Sequence, residues 1–184
     1  MRIVGGTLKG RRFDPPIKHW KTRPTTDYAK EALFNILENE FDLSTIRAID
    51  LFAGTGSITF EFLSRGCVHV TAVEKYPAAV RFIHEKAKEW SIQDHLTVKK
   101  QDVRRYLERS DETADIIFAD PPYDMSWIKE LPEMIFDSGV SNGMHLLVVE
   151  HDMRTDYSDI KTWRSTRKYG QSRFSFFQRS DSGS

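Results

Sequence analysis

The chain has 184 residues, 39% hydrophobic and 29% charged, and its acids and bases formally cancel. That length supports one domain with a sizeable core and is short for two, while a single cysteine, Cys67, excludes a disulfide framework and a multi-cysteine metal site and fits a reducing cytoplasm. No apolar run approaches the ~20 residues of a bilayer span, no hydrophobic signal segment follows the first charges, and the six histidines show no ligand spacing on one helix face. The expectation is a cytoplasmic monomer, 1–184 as one domain, with no metal and no membrane partner.

The neutral total hides an uneven distribution. Residues 1–30 hold eight Lys/Arg against Asp14 and Asp27, and residues 154–179 hold seven against two acids, which leaves a deficit of eleven for the rest. Basic ends around an acidic middle suggest a polyanion held at the two extremities.

In chain order, "MRIVGGTLKGRRF" places Gly5-Gly6 between two β-prone runs, a hairpin signal, and residues 1–22 read as a basic extension outside the sheet. "RPTTDYAKEALFNILENEF" follows, with Thr25, Thr26 or Asp27 as N-cap and apolar residues at 29, 32, 33, 36 and 37, the stripe of an amphipathic helix. From Ile46 short apolar runs alternate with helical segments: "IRAIDLF" then 57–65, "VHVTAVE" then 77–89, "LTVKKQD" then 102–109, "ADIIFAD" then 126–137, and finally "MHLLVVE". Gly66 stands where a helix ends and Pro77 where one begins. Repeated units of this kind predict an α/β fold, a parallel sheet with helices on both faces. Tyr169-Gly170 separates two further β-prone runs, a closing antiparallel hairpin, and "SDSGS" at 180–184 reads as a frayed tail.

Ligands of an open parallel sheet bind at the carboxyl ends of its strands. The first strand ends with Asp50, then a turn holding Gly54 and Gly56, then a helix from about Ser57. Glycine lets a ligand approach the backbone, and the new helix offers unpaired N–H groups. The dinucleotide fingerprint wants a third small residue where Thr59 stands, so a ligand with a carboxylate and a cationic centre suits the turn better than a diphosphate. The second strand ends at Glu74, placed to take two ribose hydroxyls, the third at Asp102, placed to meet an adenine amino group, and the fourth at Asp120. Together these four acids describe a pocket for S-adenosylmethionine, with Phe52, Thr55, Lys75 and Val103 flanking them.

Asp120-Pro121-Pro122-Tyr123 ends the fourth strand. Two prolines keep the Pro121 carbonyl out of regular structure, beside the Asp120 carboxylate. Two acceptors pointing one way match the two N–H donors of an exocyclic amine, and accepting both turns its lone pair toward an electrophile. Tyr123 offers a ring on which a base can stack.

These motifs carry a resemblance. "DLFAGTG", "VE" and "DPPY", in that order, resemble the exocyclic-amine methyltransferases of nucleic acids, and "RIVGG", "RPTTD", "EALFNIL" and "RKYGQSRFSFF" are similar to the bacterial 16S ribosomal RNA guanine-N2 methyltransferase family, the RsmD-like enzymes. The resemblance implies a Rossmann-like class I methyltransferase fold with a mostly parallel seven-stranded sheet, S-adenosylmethionine as cofactor, and methyl transfer to the N2 amine of one guanine in 16S RNA or an assembling small subunit. Asp50, Gly54, Gly56, Glu74 and Asp102 fall on the family's cofactor positions, and Asp120 to Tyr123 on its catalytic motif. RNA contacts are expected from Arg2, Lys9, Arg11, Arg12, Arg23, Thr25, Thr26, Arg167 and Lys168. The sequence departs from the family at Tyr76 and Lys86, where an acid and an asparagine are common.

Three other readings stay open: an adenine-N6 methyltransferase of DNA or RNA, a catalytically inactive ribosome-assembly factor that binds RNA, and a small-molecule N-methyltransferase. A cytosine-C5 enzyme needs a nucleophilic cysteine. Cys67, at the start of an expected strand, reads instead as a small buried residue.

Overall fold

The structure, a computed structural model, describes residues 1–15 and 25–179. Helix α1 (Asp27–Glu40) starts where the Thr26 hydroxyl accepts the Ala29 amide at 3.2 Å, and its apolar stripe buries Ala29, Leu33, Phe34 and Leu37. The alternation then follows as β1 (Arg47–Leu51), α2 (Ser57–Ser64), β2 (His69–Glu74), α3 (Pro77–Glu89), β3 (Leu96–Lys100), α4 (Val103–Arg109), β4 (Ile116–Ala119), α5 (Leu131–Phe136) and β5 (Leu146–His151), closed by a hairpin of β6 (Trp163–Tyr169) and β7 (Ser172–Phe177).

All seven strands join one sheet in the order β3-β2-β1-β4-β5-β7-β6. The first five run parallel, and β7 lies antiparallel to both β5 and β6. This is the Rossmann-like class I arrangement expected from the motifs. Because strand side chains alternate, the sheet builds two cores. Ala48, Ala72, Phe118 and Val148 pack under α1, α2 and α3, whereas Ile49, Val73, Ile117 and Val149 pack under α4 and α5.

Two expected elements differ. The helix expected over 126–137 is shorter, α5, because Pro132 fits only in a first turn, where no amide donor is required. Gly5-Gly6 is not a tight hairpin turn. Arg2 and Arg12 form an isolated antiparallel bridge, the intervening loop turns over 5–10, and the two glycines lie against α2. Gly6 adopts φ +70°, and a Cβ there would collide with the Ser64 carbonyl, so both space and conformation require glycine.

Nor is this segment an appendage outside the core. Ile3, Leu8 and Phe13 are buried, and Phe13 packs on Phe60, Phe82 and Trp90 with ring centroids 5.6, 6.3 and 5.6 Å away. A buried ionic clasp holds it down. The Glu61 carboxylate accepts the Val4 and Gly5 amides at 3.0 and 2.8 Å and faces Lys30 Nζ at 3.6 Å and Arg65 Nε at 3.3 Å. Lys30 Nζ also donates to the Arg2 carbonyl at 2.5 Å. Glu61 and Lys30 are both essentially unexposed, and burial pulls the Lys30 ammonium below its ordinary pKa.

Removing one partner of a buried pair strands the other charge without water. Glu61→Ala should therefore lower the unfolding free energy by about 3–5 kcal/mol, measured by urea denaturation. A loss below about 1 kcal/mol, the scale of a solvent-exposed pair, would show that the clasp is solvated.

Candidate active site

The chain lays β1, β2 and β3 toward one edge, then returns to place β4 on the other side of β1. A crevice opens beyond the carboxyl ends of strands where the order reverses in this way. Asp50 pairs in register with Ala72 on one side and Phe118 on the other, and Phe118 pairs with Val148. Period-two alternation then puts Asp50, Glu74 and Glu150 on the α1–α2 side of the sheet. Asp120, one residue past β4, continues the same phase and falls in line with Glu150.

Asp50 is 1% exposed and accepts the Thr59 hydroxyl at 2.5 Å. Thr59, the residue that breaks the dinucleotide fingerprint, is thus the partner of the acid at the strand end. Burial nevertheless raises the Asp50 carboxyl to about 7, against the lowering effect of Thr59. Each Glu74 oxygen takes one backbone amide, Gly54 at 2.8 Å and Tyr76 at 2.8 Å, which fixes the carboxylate and leaves further lone pairs for hydroxyl donors. The departure at Tyr76 therefore leaves the Glu74 geometry intact, because only its backbone is used. Lys86 pairs with Glu89 at 2.6 Å on the outer face of α3.

The turn between β1 and α2 has unusual backbone. Phe52 adopts φ +62°, as do Gly54 and Gly56 at +54° and +77°. Left-handed conformation disfavours a side chain such as that of Phe52 by about 1–2 kcal/mol, and strain of this kind gathers at functional sites. A Cβ at Gly56 would press on the Ile83 and Phe60 side chains at 3.0 Å, so they would have to give way, and the positive φ disfavours a side chain as well. Helix α2 has no capping side chain, and the buried Ser57 hydroxyl has no partner among the described residues. An uncapped helix start beside an unsatisfied hydroxyl fits an anionic group of a ligand. Sequence reasoning stopped at Gly56 and missed Ser57, although its place at the first helical position was visible.

The other expected cofactor residues are arranged less directly. The Thr55 hydroxyl donates to the Met1 sulfur at 3.3 Å. Lys75 is exposed, with Nζ 5.1 Å from the Tyr76 ring centroid. Asp102 is the N-cap of α4: Oδ1 accepts the Arg104 and Arg105 amides at 3.0 and 3.4 Å, and only Oδ2 is left for a ligand. The Val103 side chain is buried in the core against α4 and α5, so its backbone is all it can offer a ligand.

At the end of β4 the Asp120 amide donates to the Leu51 carbonyl at 3.3 Å, which joins the motif to the strand-one turn. The Pro122 carbonyl accepts the Met125 amide at 2.9 Å, while the Pro121 carbonyl and the Asp120 carboxylate accept nothing from the described residues. Burial first, then the Glu150 and Asp50 charges, raise Asp120 well above the usual carboxylate range.

Glu150, near the end of β5, was not assigned from sequence. It is 1% exposed, accepts the Thr25 hydroxyl at 2.5 Å, and lies 3.4 Å from the Tyr123 hydroxyl. The run "MHLLVVE" ends in an acid just as the four chosen strands do, so the same rule would have found it.

The expected RNA contacts divide. Lys9, Arg12, Arg167 and Lys168 are exposed; Arg11 is exposed over the Trp90 ring at 5.8 Å; Arg2 is paired with Asp27 at 3.0 Å. Thr25 is buried and its hydroxyl is committed to Glu150, whereas the exposed Thr26 hydroxyl caps α1 as an acceptor and keeps its own O–H for another partner. Lys30, counted in the basic N-terminus, is interior. Arg23 lies outside the described residues. Among the described residues no cluster of His, Cys, Asp and Glu could hold a metal, and no helix is long and apolar enough to cross a membrane. Burial pushes the Cys67 thiol up to about 12, which leaves no thiolate for cytosine-C5 chemistry.

A carboxyl with a raised pKa binds its proton more tightly in the folded chain, so its stabilising effect is full at acid pH and lost as pH rises from about 4 toward about 7. Asp50→Asn keeps an acceptor for Thr59 and removes that loss. Between pH 5 and 8 the unfolding free energy of the variant should gain on the unliganded wild type by a few kcal/mol, read from denaturant titrations at each pH. A gap that does not change with pH contradicts the desolvation of Asp50.

Residues 1–178 match the family described as conserved hypothetical protein 95. The chain is 33% identical over 159 residues to the Bacillus subtilis protein named "Putative rRNA methyltransferase YlbH", covering 85% of each. It is 27% identical over 193 residues to "Ribosomal RNA small subunit methyltransferase D" of Escherichia coli, covering 100% of this chain and 92% of that one. Its fold superimposes on "Putative methyltransferase yhhF from Escherichia coli" with a TM-score of 0.79 at 26% identity, covering 97% of both chains. With its strand-end acids, glycine turn and Asp-Pro-Pro-Tyr rim in place, the chain belongs to the family described as conserved hypothetical protein 95, the RsmD family of methyltransferases.

Proposed function

We propose that the protein transfers a methyl group from S-adenosylmethionine to the exocyclic N2 amine of a guanine in 16S ribosomal RNA. The observation that carries this reading is the pair of unengaged acceptors at the reversal of strand order, the Asp120 carboxylate and the Pro121 carbonyl. Relatives named for methylation of the small-subunit ribosomal RNA support the RNA class, and the family resemblance supports guanine N2.

The residues fit the cofactor. The α2 N-terminus and Ser57 would take its carboxylate, Asp50 its cationic side, Glu74 its ribose hydroxyls, and Asp102 Oδ2 its adenine amine. When bound, S-adenosylmethionine supplies an electrophilic methyl group. Asp120 and Pro121 accept the two amine hydrogens and hold the nitrogen lone pair toward that methyl, which makes the encounter effectively unimolecular. The raised proton affinity of Asp120 suits it to take the proton that the amine must lose. Tyr123, half-buried at the rim, offers its ring face to the base drawn out of the RNA. Exposed Lys9, Arg12, Arg167 and Lys168 would contact phosphates and set the RNA's position without reading its sequence.

Incubating 16S RNA with labelled cofactor and resolving the nucleosides by mass spectrometry tests the reading. Wild type should yield N2-methylguanosine. Asp120→Ala removes a charge-assisted hydrogen bond of ~1.5–3 kcal/mol in the transition state, so methyl transfer should fall at least ten- to a hundredfold while cofactor affinity stays nearly intact. Label in N6-methyladenosine would replace guanine by adenine as the target, and wild-type turnover by the variant would remove Asp120 from the mechanism.

A further inference from the structure

A buried carboxylate is costly unless its lone pairs are satisfied, and it gains nothing from water. Glu150 is such a group. It is essentially unexposed, on the sheet face that carries Asp50 and Glu74 and in line with Asp120. Its two oxygens meet donors from two distant parts of the chain: Oε2 accepts the Thr25 hydroxyl at 2.5 Å, and Oε1 faces the Tyr123 hydroxyl at 3.4 Å. Thr25 closes the segment just before α1, and Tyr123 is the aromatic of the catalytic motif.

We propose that Glu150 is a positioning residue for methyl transfer, holding the Tyr123 ring in its stacking orientation and tying Thr25 to the rim. The inference rests on the reading of Asp120 to Tyr123 as the target-amine site. Three features favour it over a role in stability alone. The fold keeps an acid here whose pKa is raised by burial, where an apolar residue would pack more cheaply. One oxygen goes to the catalytic motif and the other to Thr25, just ahead of the N-cap of α1. The Tyr123 contact is long for a hydroxyl pair, as catalytic hydrogen bonds often are before substrate binds and tightens them.

Among the described residues, the titratable and hydrogen-bonding groups that act on Glu150 are Thr25 ahead of α1, Tyr123 and Asp120 after β4, Ser172 at the start of β7, and, beyond Asp120, Asp50 on β1; none of these is a cation. The tyrosine hydroxyl is held protonated, its pKa raised by burial and by Glu150 and Asp120, so Tyr123 remains a donor at working pH. A tyrosine tied at its hydroxyl has one ring orientation, and a base can stack on it without first ordering it.

The test is single-turnover methylation of 16S RNA by four proteins, Glu150→Leu, Glu150→Gln, Tyr123→Phe and the Glu150→Leu/Tyr123→Phe double variant, alongside calorimetric cofactor affinity and thermal unfolding. Glu150→Leu should slow transfer at least tenfold with cofactor Kd within twofold of wild type and no loss of Tm. Glu150→Gln, which keeps the acceptor, should recover most of the rate. Tyr123→Phe should lose no more than Glu150→Leu, which also frees Thr25, and the double variant no more than Glu150→Leu alone, because that change has already cut the Tyr123 tie. Rates within twofold for Glu150→Leu, losses that multiply in the double variant, or a rate loss matched by equal losses of Tm and cofactor affinity would each overturn the proposal. If wild type itself transfers no methyl to the RNA, it is the underlying functional reading that fails.

Discussion

The site depends on acids gathered close together, with Asp50 and Glu150 buried and Asp120 half-buried beside them. Asp50, Asp120 and Glu150 share one face of the sheet at the reversal of strand order, and all three hold their protons more tightly than exposed acids do. Hydroxyls soften this, Thr59 for Asp50 and Thr25 for Glu150, but no described cation is paired with any of them. A stable fold keeps such an arrangement when a ligand completes it. A fitting ligand is positive on one side, to meet Asp50, and rich in N–H donors on the other, to meet Asp120 and the Pro121 carbonyl. A sulfonium cofactor and an exocyclic amine have that chemistry.

The ionic clasp beneath the N-terminal segment shows the opposite solution to burying charge. Lys30, Glu61, Arg65 and Glu38 alternate in sign, and each finds its counter-ion inside the chain. That network is complete without a ligand, and its work is to fasten residues 1–15 over α2. The two arrangements meet through one short stretch: Thr25 reaches the active site and Lys30, five residues later, reaches the clasp.

Much of the architecture was legible in the sequence because local signals agreed with global ones. Pro77 fixed the start of α3, the apolar alternation separated strands from helices, and glycines at 54 and 56 marked the left-handed turn after β1. The strand-end rule found Asp50, Glu74 and Asp120 but stopped one strand short of Glu150. Other errors came from quantities that a linear reading cannot supply. Lys30 was counted as surface charge because pairing with Glu61, 31 positions away, is invisible until α1 packs on α2. Gly5-Gly6 looked like a hairpin turn, yet the need for glycine arises from contact with Ser64 on another element. Asp102 carried an ambiguity that residue type alone does not resolve, since an acid before a helix serves equally as cap and as ligand contact.

These carboxylates have the chemistry to meet a cation, and proton linkage tests this directly. A positive group placed beside Asp50 favours its ionised form, so binding of a sulfonium ligand must expel protons wherever the free site still holds them. Calorimetric titration at pH about 6.5, in two buffers of different ionisation enthalpy, measures that number. The account predicts net proton release on binding S-adenosylmethionine and a smaller release for S-adenosylhomocysteine, whose sulfur is neutral. Equal proton uptake or release for the two ligands would contradict it.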